Sequence, residues 1–156
     1  MKNKKKIIAV EKNISVFNND SKKLGGYIYT SATKLSALLS NDHITNLINS
    51  LVNIRGASVC DIGCGDGTYT MAIFTKGNPK SIYAIDPAKN AILFAKKNNR
   101  YNKITFNVGN IYNLPNTKKF DIAIIRGVLH HLYNARSAIK KVSKIANTVI
   151  VIDPNG

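Results

Sequence analysis

A chain of 156 residues, 44% of them hydrophobic, is long enough for one domain with a real core, and it holds no apolar run of membrane-spanning length. Its formal charge of +15 admits a nucleic-acid partner, yet the lysines are scattered among asparagines and isoleucines rather than gathered into one stripe. With only two cysteines, Cys60 and Cys64, there is neither a disulfide framework nor a zinc-ligand set, and no metal is expected.

The first residues, Met1 to Lys6, are basic, but Ile7-Ile8-Ala9-Val10 is too short for the apolar core of a signal peptide and no small-residue cleavage site follows, so a cytoplasmic location is expected. Residues 1–26 show little periodicity and carry Asn18-Asn19-Asp20-Ser21 and Gly25-Gly26 as breakers; they read as an N-terminal arm with room for one short strand or helix. Residues 27–56 read as a helical segment. Leu35, Leu38 and Leu39 share one helical face after a Ser31 or Thr33 cap, and Asp42 caps a further helix carrying Ile44, Leu47, Ile48 and Leu51 until Gly56 closes it.

From residue 57 to 156 strands and helices alternate. Strands are expected over 59–61, 81–85, 104–108, 121–125 and 148–152. Helices are expected over 68–74, after Pro87 in a first turn followed by Ala91, Ile92, Ala95 and Lys96, and after an Asn134 cap. In that last helix Ala135, Ala138, Ile139, Val142, Ile145 and Ala146 make a buried face, with Lys140, Lys141 and Lys144 outside. Such alternation means parallel strands, right-handed crossovers and helices on both faces. The fold class is α/β, a Rossmann-like doubly wound sheet of order 3-2-1-4-5 with its ligand at the switch between strands one and four.

The stretch Val59-Cys60-Asp61-Ile62-Gly63-Cys64-Gly65-Asp66-Gly67-Thr68 is a strand, a tight glycine loop and a helix start. No lysine follows Gly67, so a phosphate-binding P-loop is ruled out. The dinucleotide fingerprint would place its third glycine at Thr68, and here it comes one residue early, which weakens that reading and leaves tight NAD binding as its test. Asp61, an acid at the strand end, would repel a pyrophosphate and suits a cationic ligand.

Asp61-Ile62-Gly63-Cys64-Gly65-Asp66-Gly67 resembles the first motif of the class I S-adenosylmethionine-dependent methyltransferases. The resemblance continues in order through Ile82 to Asp86, Phe106 to Ile111 and Phe120 to Leu132. It implies S-adenosylmethionine as cofactor, with Asp61, Gly63, Cys64 and Gly65 against the methionine part and Asp86 on the ribose hydroxyls, Pro87 beside it. Asn110 stands where the family usually carries an acid contacting the adenine amine, and its oxygen can accept the same bond; Ile111 adjoins it. Tyr27 and Tyr29 are candidate lid and substrate residues, with ordinary packing as the alternative.

Methyl transfer needs in-line positioning and, for an oxygen or a protonated amine, a base. The candidates follow strand four, in Arg126-Gly127-Val128-Leu129-His130-His131. His130 or His131 is the candidate catalytic base, against a structural role satisfying loop carbonyls; Arg126 is a candidate for cofactor or anionic-substrate contact. No Asn/Asp-Pro-Pro-Tyr-like motif follows strand four, which argues against methylation of nucleobase exocyclic amines. A small-molecule acceptor is expected, with an RNA methyltransferase and a non-catalytic cofactor-binding module as alternatives. The family's full domain has seven strands, and the strand 6/7 hairpin is absent from this chain. A truncated chain is expected from that, with strand five as an apolar edge open to a homodimer.

Overall fold

The computed structural model describes residues 2–24, 35–114 and 117–154. Tyr27 and Tyr29 lie outside them. Five strands form one wholly parallel sheet: β1 (Ser58–Ile62), β2 (Ser81–Asp86), β3 (Ile104–Val108), β4 (Phe120–Arg126) and β5 (Ala146–Ile152), in the order β3-β2-β1-β4-β5. This is the expected order. The helices are α1 (Lys2–Leu24), α2 (Leu35–Leu51), α3 (Thr68–Gly77), α4 (Lys89–Asn98) and α5 (Ala135–Val142), with short 3₁₀ turns at Ile111–Asn113 and Leu129–His131.

Strand side chains alternate between two faces, and each face has its own core. Val59, Ile82, Ala84, Ile104, Phe106, Ile122 and Ile124 pack with Ile48 of α2, Ile73 of α3, and Ile92 and Ala95 of α4. On the other face Cys60, Ile62, Ile85, Ala123 and Ile125 pack with Ala138 and Val142 of α5 and with Ile111 and Leu114. Burial on both faces is why the central strands β1, β2 and β4 read as largely apolar runs.

Residues 2–24 depart from the sequence reading. Instead of an irregular arm there is a helix of 23 residues, α1, which packs on α4. The residues that look like breakers are used inside it. Asn18 Oδ1 accepts the Asn90 N–H at 2.7 Å, and the Asn90 amide returns a bond to the Asn18 carbonyl at 3.1 Å. Helix α4 has Ala88 at its N-cap position, without an oxygen to offer, so α1 supplies the missing acceptor. Ser21, buried, donates to the Phe17 carbonyl one turn back.

The 27–56 segment also differs. Over its described residues α2 runs unbroken through Asp42, which is no cap but a surface partner of Lys76 on α3 and of Asn46. The inward face is Asn41, Thr45 and Ile48, while Leu35, Leu38 and Leu39 are exposed. A buried polar face carries no apolar signal, so periodicity alone picks the wrong side. Pro87 sits two residues before α4 instead of in its first turn, because the Asp86 carboxylate accepts the Ala88 N–H at 2.8 Å and holds both residues outside the helix. Asn134 caps α5 as expected, accepting the Ser137 N–H at 2.9 Å.

Gly67 shows how little room the loop before α3 leaves. Its φ is +80°, and an added Cβ would lie within 3.0 Å of Phe106 and Ala95. Combining left-handed backbone strain with overpacking, Gly67→Ala is expected to lower unfolding free energy by about 2–4 kcal/mol in a chemical denaturation series. A change under about 0.5 kcal/mol would show the loop to be looser than this geometry.

Candidate functional site

In a doubly wound sheet the crevice lies at the carboxyl ends of the strands where the order reverses, here between β1 and β4. The chain at that point is tied down by backbone bonds. Gly63 and Cys64 both donate to the Ile85 carbonyl, at 2.8 and 3.0 Å, and Gly65 donates to Asp86 Oδ2 at 3.0 Å. Gly63 has φ +79°, and a Cβ there would meet Val128 at 2.2 Å, so the loop after β1 lies directly on the loop after β4.

A cavity of about 890 Å³ opens above these loops. Gly63, Cys64, Gly65, Asp86, Pro87, Asn110, Ile111, Arg126, His130 and His131 all line it, so residues singled out separately along the sequence converge on one space. Asp61 does not line it. That side chain points to the α3 side of the sheet, where it is buried and accepts the Thr70 hydroxyl at 2.6 Å. Its influence on a ligand is electrostatic, from behind the wall.

Asn110 is placed at the cavity with its oxygen already engaged. Oδ1 caps the 3₁₀ turn that follows, accepting from Tyr112 N at 2.9 Å and Asn113 N at 3.2 Å. The bond expected from an adenine amine would therefore be an additional one on that atom.

His130 and His131 differ in their surroundings. His130 Nδ1 lies 3.1 and 3.2 Å from the two carboxylate oxygens of Asp153, and the His130 backbone N–H donates to Asp153 Oδ2 at 3.0 Å. With Nδ1–H on the carboxylate, neutral His130 carries its free lone pair on Nε2. His131 instead packs edge-on against Phe17 of α1, centroids 5.3 Å apart, and its Nδ1 lies 3.4 Å from the Asn13 amide nitrogen. Burial, with His130 beside it, lowers its pKa.

Arg126 leaves the end of β4 toward the α2 and α3 side. Its guanidinium carbon is 3.4 Å from the centroid of the Tyr69 ring, and Nη2 donates to Asn41 Oδ1 at 3.3 Å. Nη1 of Arg126 and Nδ2 of Asn41 are both buried without a hydrogen-bond partner.

Sequence reasoning missed Asp153, Asn41, Tyr69 and the α1 residues Asn13 and Phe17. Asp153 had a signal: an acid just past strand five, which the strand order sets beside the end of strand four. The others had none, because only packing brings α1 and α2 over the strand ends.

The site is acidic beneath a basic chain. Burial pushes the Asp61 carboxyl up to about 6, opposed by the Thr70 hydroxyl and by Arg126. Burial also pushes Asp86 up to about 6, opposed by the Ala88 and Gly65 N–H groups and reinforced by the charges of Asp61 and Asp66. A folded pKa above the unfolded value near 3.9 gives stability that is present below about pH 4 and lost as pH rises through about 6. His131, depressed, acts in the opposite direction over the same range, so a difference between variants isolates the acid. Asp61→Asn keeps an acceptor for Thr70 and removes the charge. Between pH 4.5 and 7.5 its unfolding free energy is expected to fall less than wild type's by about 2 kcal/mol, read from denaturant curves; parallel curves would place an ordinary carboxyl at Asp61.

The chain resembles known proteins in sequence and in fold. The family described as "Methyltransferase domain" matches residues 54–155. The mitochondrial ubiquinone biosynthesis O-methyltransferase of Dictyostelium discoideum is 30% identical over 105 residues, which are 59% of this chain and 32% of that protein. The tRNA U34 carboxymethyltransferase of Campylobacter concisus (strain 13826) is 28% identical over 106 residues, 66% of this chain and 36% of that one. The chain thus spans about a third of the length of these relatives. In fold it is similar to the magnesium protoporphyrin IX methyltransferase of Synechocystis PCC 6803, solved with bound S-adenosylmethionine. The TM-score is 0.69 at 18% identity, covering 88% of this chain and 74% of that one. With its glycine loop and all five strands inside the matched residues, the chain belongs to the methyltransferase-domain family.

Proposed function

We propose that the chain binds S-adenosylmethionine in this cavity and transfers its methyl group to a small-molecule acceptor, with His130 as the base. The observation that carries the reading is the His130–Asp153 pair at the mouth of a cavity whose floor is the glycine loop and Asp86. When bound, the cofactor supplies an electrophilic methyl group on a sulfonium. The residues present fit it: a backbone loop with no side chain in the way at Gly63 and Gly65, and a strand-end acid at Asp86 for the ribose hydroxyls.

The chain's own part is positioning and proton handling. Asp86 has two oxygens, each already accepting one backbone N–H and each with a lone pair left for a ribose hydroxyl. Asp153 holds the His130 ring through Nδ1, which leaves Nε2 to take the proton an acceptor hydroxyl or ammonium must lose. Helix α1 covers the cavity with Ile14 and Phe17, which excludes water from a reaction that hydrolysis would waste.

An RNA acceptor is the second reading. The charge of +15 favours it, and the similarity to tRNA carboxymethyltransferases agrees. RNA binding that weakens steeply with salt, together with methyl incorporation into total tRNA, would choose it over the small molecule.

Calorimetric titration tests the cofactor: S-adenosylmethionine and S-adenosylhomocysteine should bind and NAD should not. Asp86→Ala is expected to weaken S-adenosylmethionine binding by roughly 1.5–3 kcal/mol, the worth of hydrogen bonds to a charged group; unchanged affinity would remove Asp86 from the ribose. His130→Ala should keep S-adenosylhomocysteine affinity within about twofold and lower kcat by roughly 10²–10⁴-fold with any acceptor that supports turnover. Full activity in that variant would remove His130 as the base.

A further inference from the structure

The glycine loop, Asp86 and Asn110 make the cavity floor, and the rest of the wall is of a different character. Val10, Ile14 and Phe17 come from α1, Tyr112 from the turn after β3, and Leu132 and Tyr133 from the loop after β4. The volume, about 890 Å³, lies near the upper end of the ~300–1,000 Å³ usual for ligand pockets, which leaves room beside a nucleoside-sized cofactor for a second small molecule.

The aromatic rings of this wall are held by the protein itself. Tyr112 and Tyr133 stack with centroids 4.6 Å apart and planes 30° from parallel. The Tyr112 hydroxyl donates to the Asn134 carbonyl at 3.2 Å and accepts the Asn134 N–H at 3.1 Å, so it is engaged on the backbone and Tyr112 offers a ligand ring carbon. His131 lies edge-on to Phe17, and its centroid is 3.8 Å from that of His130. A contiguous run of rings thus leads from α1 to the candidate base. Such a wall rewards a flat aromatic ligand and strips water from a polar one without replacing its hydrogen bonds.

Charge narrows the ligand further. Among the described lining residues Glu11, Asp20 and Asp86 are acids, and the one cation, Arg126, is stacked on Tyr69. Carboxylates on α1 and at the floor disfavour an acceptor bearing a carboxylate or phosphate. We infer that the acceptor is a neutral, flat aromatic hydroxyl compound, seated against Phe17, Tyr112 and Tyr133 with its hydroxyl at His130 Nε2. This rests on the cofactor and base proposed above. Phenol-type hydroxyls ionise near about pH 10, within reach of an imidazole base, whereas alkyl hydroxyls are far weaker acids. In the transfer the phenolic proton passes to Nε2 and an oxygen lone pair forms the bond to the methyl carbon. The carbon–sulfur bond breaks with its electron pair kept by sulfur, leaving an aryl methyl ether, a neutral thioether and an imidazolium at His130.

The test titrates the full chain, saturated with S-adenosylhomocysteine, with naphthol, its saturated analogue decahydronaphthol, and hydroxynaphthoate, read by calorimetry. Naphthol is expected to bind roughly fivefold or more tighter than the saturated alcohol and roughly tenfold tighter than the carboxylate. Tyr133→Leu keeps an apolar wall and removes the ring. It should cut the preference for naphthol over the saturated alcohol by roughly threefold to tenfold, and Tyr133→Phe should restore it. Phe17→Leu takes the place of Tyr133→Leu if thermal melts show that variant to be unfolded. The nitrogen NMR signal of His130 Nε2 should move with naphthol and stay in place with naphthalene. Equal affinity for the three probes, tighter binding of the carboxylate, a preference untouched by loss of the ring, or an unmoved Nε2 signal overturns the inference. If S-adenosylhomocysteine does not bind, the proposed function falls, while the same titrations on the free chain still decide the aromatic subsite.

Discussion

The structure depends on one buried carboxylate at the end of β2. Asp86 accepts the Gly65 N–H with one oxygen and the Ala88 N–H with the other, and the carbonyl before it takes Gly63 and Cys64. Two loops from neighbouring strands are thereby fixed to a single point. Without that tie, the left-handed glycines of the first loop would have no reason to hold one conformation, and α4 would lose its start. The cost is desolvation, visible in a carboxyl pushed up to about 6. The Gly65 and Ala88 N–H groups offset part of that cost.

Around this point charge is arranged against the overall balance. The chain is strongly basic, yet the buried ionisable groups behind and beneath the cavity are Asp61, Asp66 and Asp86. Acids at the floor favour a cationic ligand, and the surface lysines do nothing to oppose that through water of high dielectric. Arg126 is the exception, a cation within the wall, stacked on Tyr69.

Helix α1 completes the site without belonging to the sheet. Its Asn18 supplies the cap that Ala88 cannot, and its Phe17 meets His131 across the cavity mouth. The polar bonds at α4 and the aromatic contact with His131 together hold α1 over the strand ends.

The sequence by itself determined the sheet and the cavity floor. Apolar runs bounded by glycine, proline and asparagine mark parallel strands buried on both faces, and a strand followed by Gly63-Cys64-Gly65-Asp66-Gly67 has few other ways to turn. The order of five strands and the convergence of Gly63, Asp86, Asn110 and His130 follow from those local rules. Only the tertiary structure decided the rest. Whether Asn18 breaks a helix or caps another, whether Leu39 or Asn41 faces inward, and whether His130 is a lone ring or one held by Asp153 depend on groups far away along the chain. A polar side chain can satisfy its hydrogen bonds in many local settings, so its sequence neighbours do not fix its partner; an apolar strand has one way to leave water, and its neighbours do.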